Sequence, residues 1–435
     1  MTVKTKFLNV AKDPTVILLF SILALPFGYF LSAIYLMWRG LARGGLLVLA
    51  RQSSRPLQGV IVAVLVFASI HLAILGVHGG TPREYYVYLP VLLMPLMLAG
   101  VMTIPYVSLE RVAIGASLAA LAAGIIAIVH SILMPMSSIG WSNYGLSNVG
   151  RASGYIRNPV AFGNMVVFLA TIILLWLIRP AKSLGSTNTF GPVPHLACLA
   201  FGLLAILLAG SKGPWLAIAL VWPVVLLRWF QWSWPQTTRG AVILTTVLLA
   251  VAVVTATLIG KRVLPATAVV ESYSGQRFYE FDSGEGSFGP RLAMWSFALH
   301  HLDSKTLLFG RNRVEYALFQ HQEFEAGRAP GLIGGFRSLH NDALDFLVLK
   351  GVAGLLSAMV LLIALWAYFG RANRCLRSRG EFGVAPKAGL VIAASYVAMG
   401  LTGAMLDGQL VGTGLAILLA FLIRECEQTL RPDFA

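Results

Sequence analysis

Charge is scarce in this chain. Asp, Glu, Lys and Arg make up 12% of its 435 residues while 57% are hydrophobic. A soluble domain carries roughly 25% charged residues, so the balance excludes a soluble enzyme. Cysteine is scarcer still: Cys198, Cys375 and Cys426 have neither metal-ligand nor redox spacing, and no disulfide framework is implied. Acidic residues number 18 against 33 Lys and Arg, and no stretch has the carboxylate density of a calcium or magnesium loop. Basic and aromatic residues do not interleave as they do along a single-stranded nucleic-acid groove, so nucleic acid is not an expected partner.

What the chain has instead is apolar runs. A helix needs about 20 apolar residues to cross a bilayer. Runs bounded by charge or by Pro and Gly fall at 58–78, 87–105, 112–132, 159–178, 195–210, 214–231, 240–260, 343–370, 388–406 and 411–423. The opening stretch from Thr15 is broken at Pro26-Phe27-Gly28 and reads as two short helices. The expected fold is an all-α polytopic membrane protein of about twelve transmembrane helices, a single integral membrane domain over residues 1–435. Lys4, Lys6 and Lys12 precede an apolar stretch too long for a cleavable signal, which therefore reads as an anchor.

Charge orients these spans. With both termini cytoplasmic, the inner side holds Lys4, Lys6, Lys12, Arg39, Arg43, Arg51, Arg55, Arg371, Arg374, Arg377 and Arg379, and with them most of the net charge of +15. That satisfies the positive-inside rule, and the basicity is explained by topology together with membrane lipids as partners. Tyr85, Tyr86 and Tyr88 at one edge and Trp229, Trp232 and Trp234 at the other read as interface anchors. Two outer loops are long, one at 134–158 and a larger one at 261–341 between helices 9 and 10. In the larger loop, 290–302 and 312–327 space Leu, Met, Trp and Phe helically. Two amphipathic helices lying over the membrane and capping a cavity are expected there.

The sharpest local signal opens the run at 343–370. At 100° per residue, His340, Leu344, Leu347, Gly351 and Gly354 fall on one helical stripe whose glycines admit a close neighbour. Such spacing holds His340 rigidly, as a general base must be held; a helix cap or a headgroup anchor explains the same histidine equally well. Asp345 and Lys350 lie deeper in the span, as functional groups or as a structural ion pair. Asp345 projects near Asn341, so either residue suits a second-shell or acceptor-contacting role. His300, His301 and His321 with Glu323 lack established zinc spacing, and no metal or other cofactor is expected.

His340-Asn341, then nine residues, Gly351, two residues and Gly354, after a large outer loop late in the chain, resembles the signature of the O-antigen ligase and O-antigen polymerase superfamily, which includes the bacterial protein O-oligosaccharyltransferases. The resemblance covers the topology of essentially the whole chain, while the motif is confined to one helix start. Gly289-Pro290-Arg291 through Trp295, followed by Leu307-Leu308-Phe309-Gly310, resembles the family's loop segment in which an arginine precedes a helix with Trp; the family arginine carries over to Arg291. Gly210-Ser211-Lys212-Gly213 resembles the Ser-Arg-Gly turn with Lys212 in place of arginine, which keeps the charge and loses the bidentate fork. Arg151 to Asn158-Pro159 resembles the early outer-loop element, with Arg157 as an additional base.

The resemblance implies an enzyme of the bacterial inner membrane with its site facing the periplasm. The donor would be a glycan on undecaprenyl pyrophosphate and the acceptor a sugar hydroxyl of lipid A core oligosaccharide. Arg291, Lys212, Arg151 and Arg157 would bind the diphosphate, His340 would act as base, and the displacement would invert the anomeric centre without a metal. Nearby cations would keep His340 neutral. A polymerase uses the same donor and differs in its acceptor. A protein O-oligosaccharyltransferase often carries a longer region after the His helix than the residues that follow His340 here. A twelve-span transporter would show two similar halves, and the His-Gly helix has no counterpart in the first half.

Overall fold

The computed structural model describes residues 12–25, 27–80, 82–133, 158–179, 191–230, 289–329, 338–403, 405 and 409–430. Among them every regular element is a helix and no strand occurs. In chain order these are α1 (Pro14–Ala24), α2 (Gly28–Ala42), α3 (Gly45–Gln52), α4 (Arg55–His78), α5 (Pro82–Leu92), α6 (Met94–Met102), α7 (Leu109–Leu133), α8 (Pro159–Leu177), α9 (Pro192–Ala209) and α10 (Lys212–Phe230). There follow α11 (Gly289–His300), α12 (Ser304–Phe309), α13 (Arg313–Glu325), α14 (Asp342–Ser378), α15 (Val384–Gly400) and α16 (Gln409–Leu430).

Local chemistry starts many of these helices where it should. Proline stands in the first turn of α1, α4, α8 and α9, where its missing N–H removes no helical bond. Asp13 caps α1 by accepting from the Thr15 amide at 2.9 Å, and its other carboxylate oxygen pairs with Arg111 at the start of α7. Asn312 and Glu315 form a reciprocal capping box on α13.

The bilayer shows in which faces are apolar. Pro159–Leu177 is buried almost all round, every residue but Val160 lying inside the bundle; a helix apolar on every side belongs at the centre of such a packing. On α14, Ala358, Leu365, Tyr368, Phe369 and Ala372 face inward, yet the exposed side is Leu356, Met359, Val360, Ile363 and Trp366. An outward stripe of large apolar groups at helical spacing is stable only where lipid is the solvent. Five described helices are long and apolar enough to cross a membrane, or six if α2 and α3, bent by 80°, count as one span. The protein is thus an all-helical, multi-pass membrane protein.

The structure departs from the sequence reading in three places. Besides the expected break between Ala24 and Gly28, the opening stretch breaks again at Gly44, which takes a left-handed φ of 64° and ends the α2 direction. The run at 87–105 becomes two helices meeting at Leu93, with Pro90 and Pro95 on either side of the junction. Tyr88, expected at the interface, is buried inside the bundle against Phe67 and His71. The run at 240–260 lies outside the described residues.

The two helices expected within the large loop are present: α11 and α13 fall where their spacing predicts, with the short α12 between them. They are fastened to the bundle at two points. At the end of α4, Asn312 Nδ2 donates to the His78 carbonyl, and His78 Nε2 meets the Phe309 carbonyl at 3.1 Å. At α14, Gly310 (φ 72°) packs directly on Gly351 (φ 67°, ψ −174°), where the helical path breaks; the Arg311 amide donates to the Val348 carbonyl at 3.0 Å. A Cβ at Gly310 would stand 2.5 Å from the Lys350 nitrogen, and one at Gly351 would collide with the Leu308 carbonyl.

The stripe expected from His340 through Gly354 therefore does not run. His340 precedes the helix in a left-handed conformation, and Gly351 interrupts the helix to receive the α12–α13 turn. Gly354 approaches α4 instead, where an added Cβ would lie 3.5 Å from His71 Nε2.

Left-handed φ costs a residue with a Cβ about 1–2 kcal/mol, and the collision adds to it. Gly351→Ala is expected to lower the thermal midpoint of the solubilised protein clearly. Gly59→Ala, where the methyl meets open space inside α4, is expected to leave it unchanged or raise it. Equal midpoints for the two variants would refute the packing argument.

Candidate active site

The site begins with four residues leading into α14. Asn341 caps the helix, its Oδ1 accepting from the Leu344 amide at 3.2 Å. His340, just before it, has φ 51°, a conformation that a non-glycine residue adopts only when its surroundings impose it. Those surroundings are visible. Asp345, one turn into the helix, accepts from Ser338 Oγ at 2.8 Å with one oxygen and from the Leu339 amide at 2.8 Å with the other. Ser338 Oγ in turn accepts from the His340 amide at 3.1 Å. From α11, Trp295 Nε1 donates to the Leu339 carbonyl at 2.7 Å. Each backbone polar group of Ser338-Leu339-His340 named here is held by a side chain, three of them buried or half-buried.

Arg291, in the first turn of α11, and Arg313, which opens α13, both lie close enough to act on the His340 imidazole. Burial first, and then these two guanidinium groups, push the His340 pKa down to about 4. The ring is therefore neutral at pH 7 and able to accept a proton.

Other helix ends meet at the same place. Asn341 Nδ2 reaches the Leu401 carbonyl at 3.5 Å, at the end of α15. Asp342 Oδ1 accepts from the Met405 amide at 2.8 Å. The Ser211-Lys212-Gly213 turn, which opens α10 after Gly210 (φ 59°), is tucked against this connection: a Cβ at Gly213 would lie 3.4 Å from both Thr402 Oγ1 and Asn164 Oδ1. Asn158 caps α8 by accepting from the Val160 and Ala161 amides at 2.9 and 3.2 Å, and Val160 faces Gly403. The structure thus gathers the starts of α8, α10 and α14 and the end of α15 at one end of the bundle, with α11 and α13 beside them.

Of the residues singled out in the sequence, His340, Asn341, Asp345, Arg291 and Lys212 come to this end. Arg151 and Arg157 lie outside the described residues. Asp345 and Lys350 do not form the ion pair considered for them: the Asp345 oxygens are taken by Ser338 and Leu339, while Lys350 is buried with Nζ 5.7 Å from the Tyr88 ring centroid. His301 Nε2 stands 3.6 Å from Glu323, whose carboxylate is gripped by Arg328 at 2.8 and 2.9 Å, and His321 pairs with Glu325 at 3.1 Å. Among the described residues no group of three or more His, Cys, Asp or Glu is arranged to hold a metal ion.

Sequence reasoning missed Arg313, Ser338, Trp295's bond to Leu339, and Asp342. Arg313 carried a usable signal, since Asn312 marks a helix start that must face something. Nothing in one dimension said that this start faces His340.

Two comparisons bear on this arrangement. The family model of O-antigen ligase matches residues 197–359, from α9 through the first part of α14. That stretch includes the Lys212 turn, Arg291, Arg313 and the His340 segment. A Haemophilus influenzae protein described as uncharacterized is 24% identical over 213 residues, 48% of this chain. The chain spans about half the length of that relative, at 51%. The match over residues 197–359 thus supports membership of the O-antigen ligase family.

Proposed function

We propose that the protein is an O-antigen ligase. It moves a glycan from undecaprenyl pyrophosphate to a sugar hydroxyl of lipid A core oligosaccharide, at the periplasmic face of the bacterial inner membrane, in a twelve-span fold with cytoplasmic termini. The family match over residues 197–359 supports membrane glycosyl transfer of the ligase or polymerase type; donor, acceptor and residue roles are our reading. The observation that carries it is a neutral imidazole, on a backbone held by Ser338, beside two guanidinium groups at the meeting point of four helix ends.

In the step we infer, a ring nitrogen of His340 takes the proton of the acceptor hydroxyl as its oxygen attacks the anomeric carbon. The bond from that carbon to the diphosphate oxygen breaks, the electron pair leaves with the diphosphate, and the configuration inverts. Negative charge grows on the leaving diphosphate, where Arg291, Arg313 and Lys212 stabilise it, joined by Arg151 and Arg157 of the early outer loop. Arginine grips two phosphate oxygens at once and Lys212 acts as a compact charge. Asn341 fixes the helix start. Asp345 acts at one remove, a positioning residue that holds His340 through Ser338 and Leu339. Gly351 and Gly354 are packing positions.

With lipid-linked donor and core acceptor, His340→Ala is expected to lower turnover by about 10²–10⁴-fold while donor binding persists; retained turnover in folded protein removes His340 from the mechanism. Glycan appearing on lipid A core, rather than lengthening on the polyprenyl carrier, separates ligase from polymerase.

A base whose pKa is about 4 stays unprotonated well below neutrality. The wild-type kcat/KM is therefore expected to be flat from pH 6 to 8 and to fall only as pH approaches that value. Removing a neighbouring cation raises the histidine pKa, so Arg291→Ala should move the acid limb towards neutral; burial, the larger cause, remains, so the limb should stay below about 6.5. An unmoved limb refutes the proximity of Arg291 to the base.

Asp345→Asn keeps the shape but replaces one accepting oxygen with a donor. It is expected to lower kcat by about tenfold or more with little change in donor KM, and Ser338→Ala should behave alike. Parallel loss in KM would make Asp345 a substrate contact instead.

A further inference from the structure

The helix that ends on the Gly351 contact has a bare side. In α12, Thr306 is buried and the following Gly310 packs on α14, while Leu307, Leu308 and Phe309 lie exposed. Leu308 is 56% and Phe309 59% exposed, and Val77, next to the His78 that holds Phe309, is 84% exposed. Large apolar groups gathered in one place mark a surface that meets something.

Two observations say what it meets. The patch continues surfaces already turned to lipid. On α14 the outward stripe of Leu356, Val360 and Ile363 reaches up to the exposed Ala353, two residues from Gly351. On α4 the exposed Val62, Val66, Ala73 and Val77 follow one another at helical spacing. α12 stands at the end of both stripes: the Leu308 carbonyl lies against Gly351, and His78 Nε2 donates to the Phe309 carbonyl at 3.1 Å.

The second observation is the backbone. Hydrocarbon offers no water to a polar group, so a segment that enters it must pair its backbone within the protein. At the apolar end of α12 the Gly310 amide donates to the Thr306 carbonyl at 2.9 Å and the Arg311 amide to the Val348 carbonyl at 3.0 Å, while His78 takes the Phe309 carbonyl. Charge stands at the helix ends instead. Asp303 and Arg311 pair at 3.3 Å, and Lys305 is exposed in the first turn.

We propose that α12 is a membrane insert: Leu307, Leu308 and Phe309, with Val77, enter the acyl-chain region of the leaflet on the side of the candidate site, and Lys305 reaches its headgroups. The partner is bilayer phospholipid, and the contact needs no reaction. Amphipathic spacing in the sequence pointed to longer helices lying over the membrane; the deepest contact comes from the six residues between them, too few to show a period. Because α12 joins α11 to α13, seating it in lipid fixes the height of Arg291 and Arg313 against the membrane surface.

The test uses the full chain in nanodiscs, with Cys375 replaced by serine and the buried Cys198 and Cys426 left in place. A nitroxide is attached in turn to Ser304→Cys, Leu308→Cys, Phe309→Cys, Glu325→Cys and Leu356→Cys variants. Its collisions with oxygen, which concentrates in hydrocarbon, are compared with those of a nickel chelate, which stays in water. The labels replacing Leu308 and Phe309 are expected to favour oxygen, as the lipid-facing Leu356 position does, while those at Ser304 and Glu325 favour nickel. A preference for nickel at the Leu308 and Phe309 positions places α12 in water and overturns the proposal. Protection from both reagents there means that another part of this chain or a second copy covers the patch, which overturns it equally.

The unsubstituted protein gives a second reading. A phospholipid with a photoreactive group on its acyl chain should label the peptide spanning Leu307–Phe309. No labelling there, in a sample whose Leu356–Ile363 peptide is labelled, sinks the insertion. Neither measurement requires turnover, so a chain that inserts α12 but transfers no glycan would refute the proposed reaction and keep the membrane contact.

Discussion

The geometry around His340 depends on one carboxylate. Asp345 accepts two hydrogen bonds at 2.8 Å, from the Ser338 hydroxyl and the Leu339 amide, and through Ser338 it reaches the His340 amide. Without that grip the chain has no reason to hold a histidine at φ 51°, a conformation worth about 1–2 kcal/mol of strain. The strain is affordable because Asp345 is buried in the first turn of a helix, where no water competes for its oxygens, and because Trp295 closes the opposite side of the same loop. Helix and loop are thus a single unit, and the backbone that carries the imidazole is fixed by Asp345, Ser338 and Trp295.

That unit is tied to its surroundings by side-chain packing of Leu339, Val348 and Leu349 against Met294, Phe297 and Tyr316, and by close backbone contacts. Gly310 and Gly351 meet with no room for a methyl group, and the Arg311 amide donates to the Val348 carbonyl beside the break. In a bilayer an unpaired carbonyl has no water to turn to, so a break in a spanning helix survives only where something else satisfies it. Here the outer segment does so. The break and the cap are each other's condition, which explains why the arginines on α11 and α13 come to stand beside a histidine that starts a helix from elsewhere in the chain.

Much of the architecture was legible because the bilayer simplifies the code. Apolar runs with charged ends gave the long helices α4, α7, α8, α9 and α14 close to their observed limits, and Pro26-Phe27-Gly28 marked a true interruption. The spacing of Leu, Met and Trp located α11 and α13. The failures share a cause. Gly351 sits in an apolar run with no proline, and its role depends on a partner forty residues earlier; glycine at a helix crossing and glycine at a helix break look alike in one dimension. Tyr88 read as an anchor because an aromatic near a span edge is ambiguous until its neighbours Phe67, His71 and Lys350 are in place. Arg313 was one loop cation among nearly balanced charges, and only the docking of Asn312 onto His78 aims it. Arg151 and Arg157 fall outside the described residues, so their part in the proposed site rests on resemblance.

Burial is the main reason His340 is neutral, and the two arginines that add to it also bear on when it would act. In the proposed reaction the donor arrives first with its diphosphate beside Arg291 and Arg313. Once those guanidinium groups face anionic oxygens, their field at the imidazole is largely cancelled, while burial continues to disfavour a proton. The histidine is then a stronger base with donor bound than without it, and stronger again as the leaving diphosphate gains charge. A base that strengthens as the leaving group departs matches the order in which the proton and the anomeric bond must move. It also restrains the empty site, where a proton held by His340 would have to share a half-buried pocket with two guanidinium groups. Placing a histidine between arginines therefore couples proton transfer to donor occupancy with no moving part, provided its backbone is fixed, which returns the argument to Asp345.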